Sequence, residues 1–550
     1  MKKLLLTATF MVAASYAMAC TNFIVGKKAS ADGSVFCTYN ADSYGAFMPL
    51  YHFPAAKHAA GDMRQIYDWD TNKYLGQIPE AAETWNVIGN TNEWQVTIGE
   101  TTFGGREEMV DTTGIIDYGS LIYIALQRSK TAREAIQVMT TLVEQFGYCS
   151  EGETFSICDP NEAWIMEMMG CASDRKLSKE RTVWVAIRIP DDMICAHANQ
   201  SRIRQFNMKD KQNVLYSKNV VKYARKMGWF NGKDDEFSYA DAYCPADFGA
   251  RRWCEARVWS FFNRFSDDFS AYQPWAEGVD PDAKPMPLWI KPNKLLTLQD
   301  LQAAMRDHFE NTPFSLDQDL GGGIWEMPYR VSPLSYKVDG EAYFNERPTS
   351  TQQSAFSFIS QMRSWMPRQV GGCFWFGNDD GNMIAYVPIY CANTRQPLCF
   401  NTPGADDIHF SMDNAFWVCN WVSNMVYPRY SLMFPSLKQV RDSLDASYAE
   451  SQPTIEAEAI ARYGTDEAAL AGYMTEYSCQ KADEMMNRWR QLAYFLIVKY
   501  NDMVARPDRN GEFYYNENGL GQGVKRPGMP ERFAREMNRH GGQRMKMPKK

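Results

Sequence analysis

Cys20 directly follows Ala17-Met18-Ala19, and small residues in that pattern are what a signal peptidase requires before its cut. A cut after Ala19 would make Cys20 the first residue of the mature chain. It would then carry a thiol nucleophile and a free α-amine in one residue. The amine has an ordinary pKa of about 7.7–8, so near neutral pH it can accept the thiol proton directly or through water. Other chemical equipment is missing. There is no His-Glu-x-x-His, Cys-x-x-Cys or Gly-x-Ser-x-Gly pattern, and no Gly-rich phosphate loop. Histidines occur only at 52, 58, 197, 308, 409 and 540, too few for a His-rich metal site. An internal Cys–His pair stays open, but no spacing nominates its histidine. The chemistry read from Cys20 requires no metal and no organic cofactor.

The flanking segments fit this reading. Lys2 and Lys3 form a positive start, and Leu4 to Ala14 is mostly apolar, so residues 1–19 are expected to be a signal peptide and the protein to be secreted or periplasmic. A lipoprotein cysteine, acylated on sulfur and nitrogen, is the alternative. Against it, Ala17 stands where lipoprotein signals favour a Leu-like residue, and Thr21-Asn22-Phe23-Ile24-Val25 enters a strand pattern instead of a polar tether. No later stretch reaches the ~18–20 apolar residues of a membrane span, so no stable membrane insertion is expected after signal removal.

The elements that must hold Cys20 follow in order. Phe23 to Val25 and Val35 to Tyr39 read as strands joined through Asp32-Gly33, a hairpin turn signal. Strand patterns recur at 85–88, 95–98, 154–158, 163–168, 183–189, 374–376 and 383–388. Leu121, Ile122, Ala125 and Leu126 keep a helical period. Thr131-Ala132-Arg133-Glu134 has capping-box spacing and opens a second helix that stops at Gly147. Residues 267–348 are rich in Pro and Gly and read as long loops or a lid. Residues 454–501 read as helical.

An apolar share of 45% against 23% charged is a globular balance. The formal charge of −8 is unevenly placed, because residues 521–550 hold nine Lys/Arg against two Glu. The acidic body argues against a nucleic-acid partner. Residues 519–550 are expected to form a flexible basic tail. Thirteen cysteines leave twelve once Cys20 is set aside as a nucleophile; disulfides and buried free thiols both stay open.

Cys20-Thr21, Val25-Gly26-Lys27-Lys28-Ala29-Ser30 and Asp32-Gly33-Ser34 together resemble the mature start of the dipeptidase A and secernin family. These are cysteine N-terminal-nucleophile (Ntn) hydrolases, related to bile-salt and penicillin V amidases. Asn92-Glu93-Trp94-Gln95-Val96 with Glu100-Thr101-Thr102 resembles a second block of that family, and Gly114 to Ala135 a third. Asp159-x-x-Glu162-Ala163-Trp164, Glu167, Ala198-Asn199-Gln200 with Arg202-Ile203, Trp365-Met366-Pro367 and Tyr386-Val387-Pro388 continue the series to about Asp502.

The resemblance implies an α+β fold, a four-layer αββα sandwich with long loop and helical insertions. That domain would span residues 20–518, with a helical part at about 452–505. It implies Cys20 as nucleophile and Asp42 as the acid that holds its amine. Asn92 and Asn199 would help form the oxyanion hole, and Arg257 would lower the thiol pKa, with Arg252 as a competing match. Relatives usually carry Arg three residues before the Asp; here it is Tyr39. Taken singly, Asp42 also reads as a turn former, each Asn as a backbone cap, and Arg257 as a stacked or paired surface residue. The implied substrate is a dipeptide or short peptide, with N-acyl amino acids as the alternative. A homo-oligomer stays open.

Overall fold

The Asn22–Val25 strand is paired on both edges, with Val35–Asp42 on one side and Ile194–His197 on the other. Gly33, at φ +86°, supplies the positive φ that the connecting turn needs. Across it Ile24 faces Cys37. The computed structural model describes residues 20–171, 181–317 and 319–549, so the expected signal peptide lies outside the described residues.

Two large antiparallel sheets carry the fold. In spatial order the first holds Trp289–Ile290, Ile194–His197, Asn22–Val25, Val35–Asp42, Ser354–Met362, Gly372–Asn378 and Val387–Tyr390. The second runs Val214–Tyr216, Thr182–Ile189, Ala163–Gly170, Gly152–Cys158, Thr97–Gly104, Thr91–Asn92, Val87–Ile88 and His52–Phe53. Ile24, Val35 and Cys37 of the first sheet share a buried cluster with Ile165, Val183 and Val185 of the second. The sheets approach closely at Gly99. A Cβ there would stand 2.5 Å from Asn22 Oδ1, and Asn22 Nδ2 donates to the Glu100 carbonyl at 2.5 Å.

Helices bury their apolar faces against both sheets. Asp117 caps Tyr118–Arg128, and Thr131 caps Ala132–Phe146 by accepting from the Glu134 amide. Leu121, Leu126, Ile136 and Met139 of this pair join Ile98, Phe155, Ile157 and Trp164 of the second sheet. Ala256–Arg264, Leu298–Met305, Ala415–Val426 and Glu467–Lys499 bury their apolar residues with Phe358, Phe374 and Ile389 of the first. Each fully buried Leu, Ile or Phe contributes about 1.5–3 kcal/mol, enough to outweigh weak helix propensity. The chain is a mixed α+β protein.

Several elements differ from the sequence reading. The C-terminal helical part begins earlier, with Ala415–Val426 and then Tyr430–Tyr463, before Gly464 turns the chain into Glu467–Lys499. Pro435 and Pro453 lie inside the Tyr430–Tyr463 helix and hide it in the sequence. Leu298–Met305 is a helix within the Pro- and Gly-rich stretch, closed at its start by a Thr297–Asp300 capping box. Within the stretch expected to be a flexible tail, Glu531–Met545 forms a helix. None of the thirteen cysteines forms a disulfide. No helix among the described residues is long and apolar enough to cross a membrane.

Gly99→Ala should destabilise the protein by about 1–3 kcal/mol, because the added methyl has no room beside Asn22. Gly472 lies inside Glu467–Lys499 with nothing near its missing Cβ, so Gly472→Ala should stabilise by about 0.5–1 kcal/mol. Urea unfolding midpoints of the two variants check both signs.

Candidate active site

Cys20 has no exposed surface and sits two residues before the Asn22–Val25 strand. Thr21 and Asn40 exchange backbone hydrogen bonds of 3.1 and 2.9 Å, which places Cys20 beside the end of Val35–Asp42. Two residues of that strand meet the thiol. Tyr39 Oη lies 3.3 Å from Cys20 Sγ, and the backbone amide of Asp42 hydrogen-bonds it.

Asp42 is fully buried. Its Oδ1 accepts from Ser354 Oγ at 2.6 Å, and the Arg347 guanidinium stands 3.5 Å from its Oδ2. That Oδ2 has no hydrogen-bond donor. Ser354 faces Asp42 where the strand register shifts before Phe356, an irregularity of the kind that re-aims side chains at strand ends. Burial pushes the Asp42 carboxyl up to about 7, against the pull of Arg347 and Ser354.

Arg257, buried on the Ala256–Arg264 helix, ties the first residues to a distant loop. Its Nη1 donates to the Cys20 carbonyl and to Thr21 Oγ1, both at 2.7 Å. Its Nη2 donates to the Ala198 carbonyl at 3.2 Å and to Asn199 Oδ1 at 2.9 Å. A π-helical turn, Ala250–Glu255, leads into this helix, and Arg257 Nε donates back to the Trp253 carbonyl. Asn199 has φ +61°, a conformation Asn tolerates better than most residues, and its Nδ2 donates to the Thr102 carbonyl at 2.7 Å. Glu167 fixes the loop from below. Its carboxylate accepts from the amides of Arg202 and Ile203 and from the Ser201 hydroxyl.

The structure therefore brings Cys20, Asp42, Asn199 and Arg257 into one connected group, and Asn92 does not join it. Asn92 Oδ1 accepts from the amides of Trp94 and Val96, and its Nδ2 donates to the carbonyls of Leu126 and Ser129. Both its hydrogens are committed, so it holds a turn and has no donor for an oxyanion. Arg252 is also elsewhere, in a two-point ion pair with Glu346. The expected lowering of the thiol pKa by Arg257 does not dominate here. Burial pushes the Cys20 thiol well up, and the charges of Glu100 and Asp42 push the same way.

Glu100 is the residue that the sequence reading passed over. Its Oε1 lies 3.6 Å from Cys20 Sγ and accepts the Tyr39 hydroxyl. It also hydrogen-bonds Glu153, another buried carboxyl. Burial raises both, and two touching carboxyls do not both ionise readily, so the pair shares one proton. A signal did exist: Glu100 is a charged residue in phase with Ile98 on a strand buried along most of its length. Asn90, whose Nδ2 donates to the Ile98 carbonyl, lies in the same small crevice as Tyr39 and Glu100. Among the described residues no group of three or more His, Cys, Asp or Glu side chains is placed to hold a metal ion.

Comparison with known proteins supplies the family. The model of peptidase family C69 matches residues 19–57 and 50–443. A probable dipeptidase of Salmonella dublin is 24% identical over 411 residues, covering 71% of this chain and 85% of that protein. A probable dipeptidase of Latilactobacillus sakei is 24% identical over 437 residues, covering 75% and 82%. Dipeptidase A of Lactobacillus helveticus is 22% identical over 420 residues, covering 72% and 80%.

His197 joins the two sheets beneath this site. One ring nitrogen bonds Thr101 Oγ1 at 2.7 Å and the other Ser156 Oγ at 2.6 Å, and burial lowers its pKa to about 3. Between the ordinary value and about 3 the unfolded chain binds the extra proton. The stability from neutral His197 is thus complete above about pH 6.5 and is lost as pH falls, at up to about 1.4 kcal/mol per pH unit. His197→Gln should be less stable than the parent at pH 7 yet lose less between pH 6.5 and 4, measured as urea midpoints across that range.

Proposed function

The chain belongs to peptidase family C69 and is a cysteine-type peptidase, and from that premise we propose an exported dipeptidase whose nucleophile is Cys20 at the mature N-terminus. The observation that carries this reading is Asp42 Oδ2, a buried acceptor without a donor, on a residue whose own amide touches the thiol. A free α-ammonium on Cys20 is a donor of the right charge for it. Helices on the outer faces of two facing sheets fit the αββα layering of Ntn hydrolases.

The reaction follows from the positions of these groups. Cys20 Sγ attacks the peptide carbonyl as its proton passes to the α-amine. The resulting oxyanion is stabilised by amide donors near the nucleophile, each worth about 3 kcal/mol of barrier. Asn199, held by the same guanidinium that grips the Cys20 carbonyl, takes that role. When the C–N bond breaks, the α-ammonium returns its proton to the leaving amine and a thioester remains. Water then attacks the thioester carbonyl, giving its proton to the α-amine. The C–S bond breaks, and the sulfur regains its proton. The products are the two halves of the peptide. An acidic body suits a substrate with an ammonium end. The names of the relatives supply the dipeptide length.

Intact mass and N-terminal sequencing of the exported protein should give a chain starting at unmodified Cys20; an acylated cysteine or a different start would remove the base from the mechanism. On alanyl-leucine, Cys20→Ala should reduce hydrolysis to background, and Asp42→Asn should lower kcat by about 10²-fold. Dipeptides should be cleaved in preference to their N-acetylated counterparts. The reverse preference would make the protein an N-acyl amino acid amidase.

A further inference from the structure

Among the described residues, no Lys, Arg or His forms an ion pair with Glu100. The groups bearing most on it are Glu153, Tyr39, Cys20 and Asp70, and none of these is positive. Its Oε1 is occupied by the Tyr39 hydroxyl and the Cys20 thiol, while its Oε2 is buried without a donor other than the proton shared with Glu153. Beside it opens a crevice of about 30 Å³ between the two sheets' ends and the Tyr118–Arg128 helix. That is room for a group the size of an ammonium or a methyl. The crevice walls are largely aromatic, with Trp69, Tyr118, Phe356 and Phe376 around Glu100 and Tyr39. A buried negative charge without a partner is costly, and in such surroundings a complementary cation is bound more strongly than in water.

Distance then selects the cation. A carbonyl carbon poised for attack lies about 3–3.5 Å from Sγ, and in a dipeptide the free amino nitrogen is two bonds from that carbon. Glu100 Oε1 is 3.6 Å from Sγ. A dipeptide poised for attack with its amino group turned to the Glu100 side of the sulfur brings that nitrogen within hydrogen-bonding reach of this carboxylate.

We infer that Glu100 seats the α-ammonium of the substrate and so restricts the site to peptides whose reacting residue has a free amine. This rests on the preceding reading of Cys20 as the nucleophile of a peptidase. Tyr39, donating to Glu100, fixes the orientation of the carboxylate. The proton shared with Glu153 keeps the pair at a single negative charge.

The test compares alaninal with propanal, which differ only in the amine. Either aldehyde adds Cys20 S–H across its C=O: the C–S bond forms and the proton goes to the carbonyl oxygen. Inhibition constants against alanyl-leucine hydrolysis read binding without requiring turnover of the probe. The parent should favour alaninal. Glu100→Gln should shrink the preference for alaninal over propanal by about 10- to 100-fold, beyond any shift that the altered thiol gives both aldehydes alike, measured against whatever alanyl-leucine activity the variant retains or by displacement of a bound fluorescent aldehyde. Glu153→Gln, which leaves Glu100 as the one carboxylate of the pair, should retain the preference. Equal weakening of both aldehydes in Glu100→Gln would reduce Glu100 to a support for the thiol and overturn the inference. So would loss of the preference in Glu153→Gln, which would put the charge on the other residue. A parent that cleaves no dipeptide would instead sink the preceding reading, whereas a parent that cleaves dipeptides but does not discriminate the aldehydes sinks only this one.

Discussion

Three carboxyl groups, Asp42, Glu100 and Glu153, are buried around one thiol, and keeping them out of water constrains everything nearby. Two arginines reach the site, buried Arg257 and half-buried Arg347. Arg257 spends its hydrogens on the Cys20 and Ala198 carbonyls, the Thr21 hydroxyl and Asn199, and Arg347 stands against Asp42. Neither neutralises Glu100. The thiol therefore faces negative charge on the Glu100 side and a cation-supported carboxylate on the Asp42 side. That asymmetry gives the site two ends, and a substrate with a positive terminus has one orientation that satisfies both. The thiol is held neutral by the same field, so its activation depends on a base at very short range and not on a standing thiolate.

Such a cluster is stable only on a stiff frame. The central strand is clamped on both edges, and at Gly99 the second sheet closes to within one hydrogen bond of Asn22. Behind it Thr101, His197 and Ser156 form a neutral chain whose polar atoms are paired across the interface. A charged histidine there would be adjacent to no carboxylate that could compensate it, and burial keeps it neutral. The loop bearing Asn199 is held similarly by Glu167, whose oxygens are taken up by two backbone amides and a hydroxyl. Rigid supports of this kind are what let a residue such as Asn199 keep a left-handed backbone.

Local signals account for what the sequence made legible. The hairpin around Asp32-Gly33, the strands from 152 to 189 and the two helices capped by Asp117 and Thr131 all follow from short-range rules of turn, period and cap. Cys20, Asp42, Asn199 and Arg257 were reachable because each lies in a recognisable block, although their meeting spans more than two hundred residues. Asn92 shows the limit of that approach: an Asn in the right block turned out to spend all its hydrogen bonds on backbone groups. Tertiary packing decided the remainder. The Tyr430–Tyr463 helix contains two prolines and is mostly polar, so only its partner Glu467–Lys499 and the sheet below make it a helix. Glu100 was visible as a residue but not as a site, since nothing in one sequence shows that Glu153 and Tyr39 will meet it.

The proposed mature N-terminus changes the charge balance as well as the connectivity. While Cys20 is joined to a preceding residue, its nitrogen is a neutral amide and Asp42 Oδ2 lacks a donor. Burial then holds the Asp42 carboxyl near 7. A free α-amine adds a group that accepts the thiol proton, and the ammonium so formed is of the right charge to be paired by the Asp42 carboxylate, whose pKa it lowers. Proton transfer from the thiol then creates its ion pair over a short distance, inside a closed site that already holds the counter-charge. With a cation supplied at the Asp42 end by the enzyme and one at the Glu100 end by the substrate, both carboxylates become paired in the same complex. The enzyme without substrate keeps one of them unpaired, and that residual cost is released only when a peptide with a free amine binds.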